Sequence, residues 1–408
     1  MPQYARSLFD DEPDGSIMLE DLFNQGQVAL RRGRVFDMCP DTVDTKGLLA
    51  DFRIEGMLVG VAVGDALGHC TEWQFSPESR HEKYGTIADH LTVPGIRSGR
   101  ISDDTQMTYW TLDRILHRGW FDFEDVVGCF VDRHDDIVGM GRNTSASLTR
   151  HQRRMRTGLP LVHECVGDPA EEGRGNGALM RFSPIVLPWL KTPSKQLWAD
   201  AVLSSLATHG NTVTLSSVVA MTHLLWKVLA MPQHETPSPM WWIDEYLRIA
   251  GDLETNPLPD PLNTDPVPLW YDGFRGTLCD FIDQRVRKAF VDGVPLRDAC
   301  SLDGFGSRAD SLQTVPAVLY TMMCHADSFE SAIITAVNDT KDNDTIAAIV
   351  GAFVGAIHGL SSIRQRWIHG IRSYSLKIPG RTSQSDRDVV MRMATEAALH
   401  FCGHASVP

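Results

Sequence analysis

The sequence has no excess of basic residues, and this limits the partners that the protein can have. Its 408 residues contain 38 lysines and arginines against 52 aspartates and glutamates, so the formal net charge is −14 at pH 7. Proteins that bind nucleic acid or anionic membranes by charge attraction usually carry a positive surface. We therefore expect neither nucleic acid nor a membrane surface among its partners.

Paired cysteines and a secretion signal are also missing. The eight cysteines are scattered and form no C-x-x-C pair, which argues against a zinc ribbon or a disulfide scaffold and is typical of reduced intracellular thiols. The opening stretch, MPQYARSLFDDEPDGS, has no charged segment followed by an apolar one. The apolar content of 43% and the charged content of 22% are those of an ordinary globular protein. We expect a soluble, cytoplasmic protein.

Alternating strand patterns are few and short, whereas apolar residues recur at helical spacing along the chain. Apolar residues spaced three and four positions apart predict helices in five segments, and Asp122 and Ser328 are candidate N-caps for two of them. The segments are FEDVVGCFVDRH (123–134), KQLWADAVLSSLATHG (195–210), TLSSVVAMTHLLWKVLA (214–230), QTVPAVLYTMMCHA (313–326) and SFESAIITAVN (328–338). The sequence therefore predicts an all-α fold.

Two regions differ in composition from the rest of the chain. Residues 1–50 contain the acidic DDEPD, one candidate amphipathic helix in IMLEDLFNQGQVALRR (17–32) and the loop-like DMCPDTVDTKG, so we assign them to an N-terminal extension. Residues 51–408 are predicted to form one helical domain. Within it, residues 231–270 contain eight prolines and are typical of an insertion, with a single helix in MWWIDEYLRIA.

Two other segments carry a glycine at every fourth position. These glycines are Gly56, Gly60, Gly64 and Gly68 in the first segment and Gly351, Gly355 and Gly359 in the second. A glycine inside a helix costs about 1 kcal/mol relative to alanine, so a glycine face indicates that another backbone packs there at close range. Residues 346–363 carry no formal charge and have the minimum length of a membrane span, but they include three glycines, a histidine and two serines. We expect a helix buried in a large core instead.

Aspartates cluster with hydroxyl residues ahead of two apolar helical patterns. The first cluster lies in RISDDTQM and the second in DNDT; their members are Ser102, Asp103 and Asp104, and Asp342, Asp344 and Thr345. Hard divalent cations such as Mg²⁺ prefer carboxylate and hydroxyl oxygens, and two facing clusters can hold a pair of metals about 3.5–4 Å apart. Aspartate and serine are also ordinary helix caps, and the adjacent pair Asp135–Asp136 is typical of a solvated surface. Together the two clusters predict a metal site where the buried helices reach a cleft.

Five motifs, in this order and spacing, resemble those of the ADP-ribosylglycohydrolase family. They are GMLVGVAVGDALG, SDDTQM, GRGNGALMRFSPI, ATHGN and VNDTKDNDTIAAIVGAFVGAIHG, between about residues 52 and 360. The resemblance implies a compact all-α domain with two Mg²⁺ or Mn²⁺ ions in a central cleft. It also implies an enzyme that removes ADP-ribose from a modified protein side chain, often arginine, or from related conjugates.

The resemblance also implies roles for individual residues. The implied metal ligands are Ser102, Asp103, Asp104, Asp342, Asp344 and Thr345. The implied catalytic residues are Asp104 and Glu72, either of which would act as base beside a metal-bound water in a reaction with an oxocarbenium-like transition state. The implied substrate-binding residues are Glu72 on a mobile loop, Gly141, the glycine-rich loop residues Gly175, Asn176 and Gly177 near the diphosphate, and His209.

The sequence departs from the family pattern in two places. Thr340 and Lys341 stand where relatives usually have two glycines, and a lysine there would either contact the diphosphate or weaken metal binding and catalysis. The second departure is the extension over residues 1–50. Because some bacterial relatives look like immunity proteins, the alternative function is neutralisation of an ADP-ribosyltransferase toxin by contact through this arm, with or without hydrolase activity. A disordered or core-capping tail is the other interpretation of the extension.

Overall fold

In a computed structural model of the chain, the structure describes residues 15–72, 76–159, 161, 174–255, 268–381 and 388–403. Within these ranges the backbone forms eighteen α-helices, two isolated β-bridges and no β-strand, which confirms the predicted all-α fold. The helices are α1 (Gly15–Asn24), α2 (Thr45–Ala50), α3 (Arg53–Gly68), α4 (Pro77–Tyr84), α5 (Asp103–Arg118), α6 (Phe123–Asp132), α7 (Arg142–Thr157), α8 (Gln196–Leu206), α9 (Thr212–Ala230), α10 (Pro239–Ala250), α11 (Leu278–Phe281), α12 (Arg287–Val291), α13 (Leu296–Ala299), α14 (Ser311–His325), α15 (Phe329–Asp339), α16 (Asn343–His358), α17 (Gln365–Gly370) and α18 (Val389–Cys402). A π-helical turn, Ile282–Val286, joins α11 to α12.

The five helices predicted from apolar spacing are confirmed as α6, α8, α9, α14 and α15. Their starts also follow the sequence: Asp122 accepts a hydrogen bond from the backbone N–H of Asp125, and Ser328 accepts one from that of Ser331. The predicted helix in the proline-rich region is α10, which has a proline in its first turn, and residues 256–267 of that region lie outside the described residues.

The N-terminal helix is shorter than predicted. The candidate segment extended to residue 32, but α1 ends at Asn24 because Gly26 adopts a left-handed backbone conformation (φ 64°) that a helix cannot continue through. The chain after it packs against the domain: the Trp198 indole donates to the carbonyl of Met38, and the Trp226 indole donates to that of Asp41. Residues 15–50 are thus a packed part of the fold, and residues 1–14 lie outside the described residues.

Helices α3 and α16 form the centre of the core. Every residue of both helices is buried, and they run antiparallel, with Gly56 beside Gly355 at one end and Gly68 beside Asp344 at the other. A Cβ added at Gly60 would lie 2.2 Å from the carbonyl oxygen of Gly351, so the two backbones are in direct contact. This confirms the close packing that the glycine spacing predicted, and it joins two segments almost 300 residues apart in sequence.

The other long helices surround this pair. Helices α9, α14 and α15 pack against α16, whereas α5 and α18 pack against α3. Among the described residues only α9 is long and apolar enough to cross a membrane, and it is mostly buried inside the fold, as the core helix of a globular protein would be. The short apolar helix α16 is buried throughout, as expected.

Candidate active site and metal centre

The candidate site lies where three helix ends meet. The antiparallel contact brings the end of α3 beside the beginning of α16: a Cβ added at Gly68 would lie 2.5 Å from the Cα of Asp344. The beginning of α5 joins them because the Asp65 carboxylate, in the last turn of α3, accepts hydrogen bonds from the backbone N–H groups of Ser102 (2.9 and 3.1 Å) and Thr105 (3.1 Å). The two acidic clusters predicted from the sequence are therefore brought together.

Asp65 was not among the residues predicted for the site. It is fully buried and also accepts a hydrogen bond from the Thr105 hydroxyl, so it fixes the start of α5 against α3. Burial and the neighbouring Asp344 raise its pKa to about 6, although His69 acts in the opposite direction. The available sequence signal was a carboxylate within an otherwise apolar, glycine-faced helix, since such a group is rarely buried without partners.

Asp104 lies at the centre of the site. The Ser102 hydroxyl donates to Asp104 Oδ2 over 2.8 Å, and the Thr345 hydroxyl lies 3.4 Å from the same oxygen. Its other oxygen, Oδ1, is buried and has no hydrogen-bond partner among the described residues. Burial and the neighbouring carboxylates, Asp344 first, raise its pKa well above the ordinary value. Its neighbour Asp103 is 9% exposed, and burial with repulsion from Asp344 raises its pKa to about 7.

The second cluster adds carboxylates from the start of α16 and from the end of α3. Glu72, Asp342 and Asp344 each offer an oxygen, and these atoms lie within 4.8 Å of one another. Asp65, His69 and Asp344 form a second such group, so Asp344 belongs to both. His69, whose Nδ1 lies 3.4 Å from Asp344 Oδ2, was also not predicted; its only sequence signal was its position directly after the last glycine of the α3 face.

The electrostatics of this cluster fit a divalent cation. Burial, followed by mutual repulsion, raises the pKa of Glu72 and Asp342 as well as those of the carboxylates above, so the site holds more negative charge than its surroundings balance. Oxygen donors in this number are the ligands that hard cations such as Mg²⁺ and Mn²⁺ prefer, and the unpartnered Asp104 Oδ1 is one such donor. The residues present therefore fit a metal.

The glycine-rich loop lies beside the acidic cluster. The Asn176 amide donates to the Asp342 carboxylate and, over 2.9 Å, to the hydroxyl of Thr314. The glycines on either side face the ring of His209: a Cβ added at Gly175 would lie 2.8 Å from its Nε2, and one at Gly177 would lie 2.9 Å from its Cε1. Only glycine fits at these two positions without displacement of the ring.

The chain matches the ADP-ribosylglycohydrolase family over residues 48–403. It belongs to this family. It is 23% identical over 327 residues to the ADP-ribosylarginine hydrolase Tri1 of Pseudomonas putida (strain GB-1), covering 78% of this chain and 74% of that relative. It is 22% identical over 321 residues to the ADP-ribosyl-[dinitrogen reductase] glycohydrolase of Rhodospirillum rubrum, covering 78% and 89%. A solved structure from an ADP-ribosylglycohydrolase-related protein complex superposes with a TM-score of 0.58 at 23% identity, over 87% of this chain and 99% of that one, and so shares the fold.

Two other residues, His209 and Gly141, are predicted from the ADP-ribosylglycohydrolase resemblance to contact the substrate. His209 is buried, its Nδ1 lies 2.7 Å from the Thr208 hydroxyl, and burial with the charge of Arg181 lowers its pKa to about 3, so it is neutral near pH 7. Gly141 is the N-cap of α7, with open space around it; Gly139 is nearer, since a Cβ there would lie 3.3 Å from Asp103 Oδ1. Substrate contact by His209 and Gly141 stays a prediction.

The Thr340–Lys341 turn, where the sequence predicts a departure from the family pattern, is held by hydrogen bonds. The buried guanidinium of Arg80 donates to the carbonyls of Val337 (2.7 Å) and Thr340 (2.8 Å), and the Ser307 hydroxyl accepts from the backbone N–H of Lys341 (2.9 Å). Burial, followed by the charge of Arg80, lowers the pKa of Lys341, whereas Glu72 and Asp342 raise it. The lysine is therefore half-buried beside the carboxylates that fit a metal. Asp339, in contrast, pairs with Arg297 outside the cluster.

Proposed function

We propose that the protein is a metal-dependent hydrolase that releases ADP-ribose from modified protein side chains, with arginine as the acceptor. The observation that carries the proposal is the convergence of buried carboxylates from the ends of α3, α5 and α16 around an unpartnered oxygen, Asp104 Oδ1. Arginine is favoured because one relative is named for hydrolysis of ADP-ribosylarginine, and a second acts on ADP-ribosylated dinitrogen reductase.

The metal ligands in this proposal are the aspartates of both clusters, together with the hydroxyls beside them. They are Ser102, Asp103, Asp104, Asp342, Asp344 and Thr345. Mg²⁺ or Mn²⁺ bound here supplies Lewis-acid stabilisation of the ribose hydroxyls and lowers the pKa of water. We propose two ions, because Asp344 is shared between two groups of donors.

The chain's own residues supply the proton transfers. In the reaction a water oxygen bonds to the anomeric carbon of the ribose, the bond from that carbon to the arginine nitrogen breaks, and the nitrogen gains a proton. Asp104, whose carboxylate lies at the centre of the cluster, accepts the proton of the attacking water. Glu72 is the second candidate for this role, and its raised pKa also suits it to return a proton to the leaving nitrogen.

The glycine-rich loop orients the substrate. Because Gly175 and Gly177 leave no side chain between the backbone and a ligand, their N–H groups can approach a diphosphate closely. The Asn176 amide is held by Asp342 and Thr314, so the loop keeps its position relative to the proposed ligands. Because the loop is already fixed, positioning the substrate carries a smaller entropic cost.

The test is release of ADP-ribose from an arginine-ADP-ribosylated protein, with Mg²⁺ or Mn²⁺ and with EDTA. We expect metal-dependent release, and a loss of about 100-fold or more in Asp103→Ala. The matched control is Asp135→Ala, since Asp135 is an exposed aspartate outside the cluster. Binding of Mg²⁺ measured by calorimetry gives a readout independent of turnover. No release by a folded protein that binds metal would rule out arginine as the acceptor.

The alternative function, neutralisation of an ADP-ribosyltransferase toxin through residues 1–50, stays a prediction. Deletion of the whole segment is an unsuitable test, because Leu19, Leu22 and Phe36 are buried against the domain. Deletion of residues 1–14 alone keeps that packing. If the deletion abolishes binding to a transferase and leaves hydrolysis unchanged, the alternative is supported. If binding is unchanged, residues 1–14 do not contact the transferase.

A further inference from the structure

Helix α7 is strongly basic in a protein with a net charge of −14. Its sixteen residues, RNTSASLTRHQRRMRT, include five arginines and no aspartate or glutamate. The helix is anchored by its buried side: the Ser147 hydroxyl donates to the carbonyl of Thr208 (3.0 Å), and His151 Nε2 lies 3.0 Å from that of Ala207. One of the five arginines, Arg150, belongs to this anchored side, since it donates to the Ser147 hydroxyl over 3.3 Å.

Three of these arginines share one exposed face. At 100° per residue, Arg142, Arg153 and Arg156 lie within an arc of about 60°, opposite the buried Thr144 and His151. All three are exposed, and their side chains make no hydrogen bond or ion pair with another described residue. We call these three residues the α7 arginine face. Their charge is thus available to a partner.

Helix α7 begins beside the candidate active site, which its buried side contacts, while the α7 arginine face is on the solvent side of the same turns. A Cβ added at Gly175 would lie 3.1 Å from the Asn143 amide, and one at Gly177 would lie 3.2 Å from the Thr144 hydroxyl. The first turn of α7 therefore contacts the glycine-rich loop. From there the helix extends outward by about 24 Å, given 1.5 Å per residue. A protein whose modified arginine enters the site would have neighbouring residues along this helix.

We propose that the α7 arginine face binds an acidic segment of the ADP-ribosylated protein, a substrate preference that rests on the proposed hydrolase function. Charge complementarity favours this occupant, because exposed arginines pair well with carboxylates. The exposed apolar residues Met155 and Leu159 at the outer end of the helix, 43% and 52% exposed, add the mixed character of a protein-binding surface. A nucleic acid is disfavoured, because the rest of this acidic protein would repel it.

The experiment compares two peptides that each carry one ADP-ribosylated arginine. One peptide has four glutamates on each side of that arginine, five to ten residues away from it, and the other has four glutamines at the same positions. Five to ten residues of extended peptide span roughly 17–33 Å, a range that includes the roughly 21 Å from Arg142 to Arg156 along the helix axis. The wild-type protein should favour the acidic peptide by about five- to tenfold in kcat/KM at low salt. The ratio should fall to about one in Arg153→Glu/Arg156→Glu and also at about 0.5 M NaCl.

The matched control is Lys46→Glu/Arg285→Glu, which reverses the same charge at two exposed positions on other helices and should keep the preference. A wild-type ratio near one, or a ratio unchanged by the reversal on α7, would overturn the proposal.

Anisotropy of the fluorescein-labelled, unmodified acidic peptide separates this proposal from the hydrolase function. If neither modified peptide releases ADP-ribose, the proposed hydrolase function fails. The anisotropy measurement still tests the docking: a Kd that rises about fivefold in Arg153→Glu/Arg156→Glu supports the proposal, and an unchanged Kd overturns it. Tighter binding of a twelve-residue oligothymidylate than of the peptide would assign the face to nucleic acid and overturn the proposal.

Discussion

Replacement of Gly64 by alanine tests the contact that builds the site. The added Cβ would lie 2.1 Å from the carbonyl oxygen of Ala347 and 2.7 Å from the backbone nitrogen of Ala348. Because these are backbone atoms, no side-chain rotation relieves the overlap. Non-bonded atoms prefer separations near 3.5 Å, so α3 and α16 must move apart by about 1 Å.

The expected cost is large for a single methyl group. Overpacking of a core costs about 1–3 kcal/mol, and the intrinsic helix preference of alanine over glycine returns about 1 kcal/mol of this. Since the separation extends along a fully buried helix pair, we expect the upper end of the difference, a fall of about 2 kcal/mol in the free energy of unfolding. The same shift would move Asp65 and His69 away from Asp344, so Mg²⁺ binding should weaken as well.

The assay is urea unfolding in EDTA, followed by circular dichroism at 222 nm, with Mg²⁺ affinity measured separately. The matched control is Gly128→Ala in α6, where only the Met155 methyl lies within 4 Å of the new Cβ, at 3.9 Å. That substitution should stabilise the protein by about 0.5–1 kcal/mol. If Gly64→Ala stabilised the protein to the same extent, the direct backbone contact between α3 and α16 would be refuted.

Three further predictions concern single groups. Glu55 is buried, and burial raises its pKa from 4.5 to about 7, so the stability that it contributes is full below pH 4.5 and is lost as the pH rises to about 7. Glu55→Gln should remove this decline, roughly 1–3 kcal/mol of unfolding free energy, and an unchanged unfolding-versus-pH curve would contradict it. Gly177→Ala should raise the KM for substrate by about tenfold, since its Cβ would contact the ring of His209. Adding His209→Ala to this variant should lower the KM again in part. An unchanged KM would mean that the histidine has a role beyond packing against the glycine-rich loop. Lys341→Gln should strengthen Mg²⁺ binding several-fold in calorimetry, because a positive charge beside Asp342 is removed, whereas weaker binding would show that the lysine supports the site.

Much of the fold could be predicted from the sequence because its signals are local. Apolar spacing of three and four residues marks the buried side of a helix wherever it packs, and the segments that became α6, α8, α9, α14 and α15 carried it. The end of α1 is the exception, since the apolar pattern predicts a helix through Gly26, whereas the left-handed backbone of that glycine ends the helix.

The same local reasoning had limits among the aspartates. Asp339 lies as close in sequence to Asp342 as other members of the cluster, yet it pairs with Arg297, because it faces outward from the end of α15. Asp136, whose position next to Asp135 is typical of a solvated surface, pairs with Lys377. Spacing along the chain does not distinguish a carboxylate that turns into the cleft from one that turns away.

By itself the sequence determined the helical class, the close approach of two glycine-faced helices and the two acidic clusters at helix beginnings. Each follows from a property of neighbouring residues: helical periodicity, the missing Cβ of glycine, and the oxygen chemistry of aspartate. Only the tertiary structure decided that Asp65 and His69 belong to the same site. Asp65 caps a helix 37 residues further along the chain, and His69 faces Asp344 only because α3 and α16 run antiparallel in contact. Their roles depend on partners that the folded chain supplies, and a linear pattern carries no record of such partners.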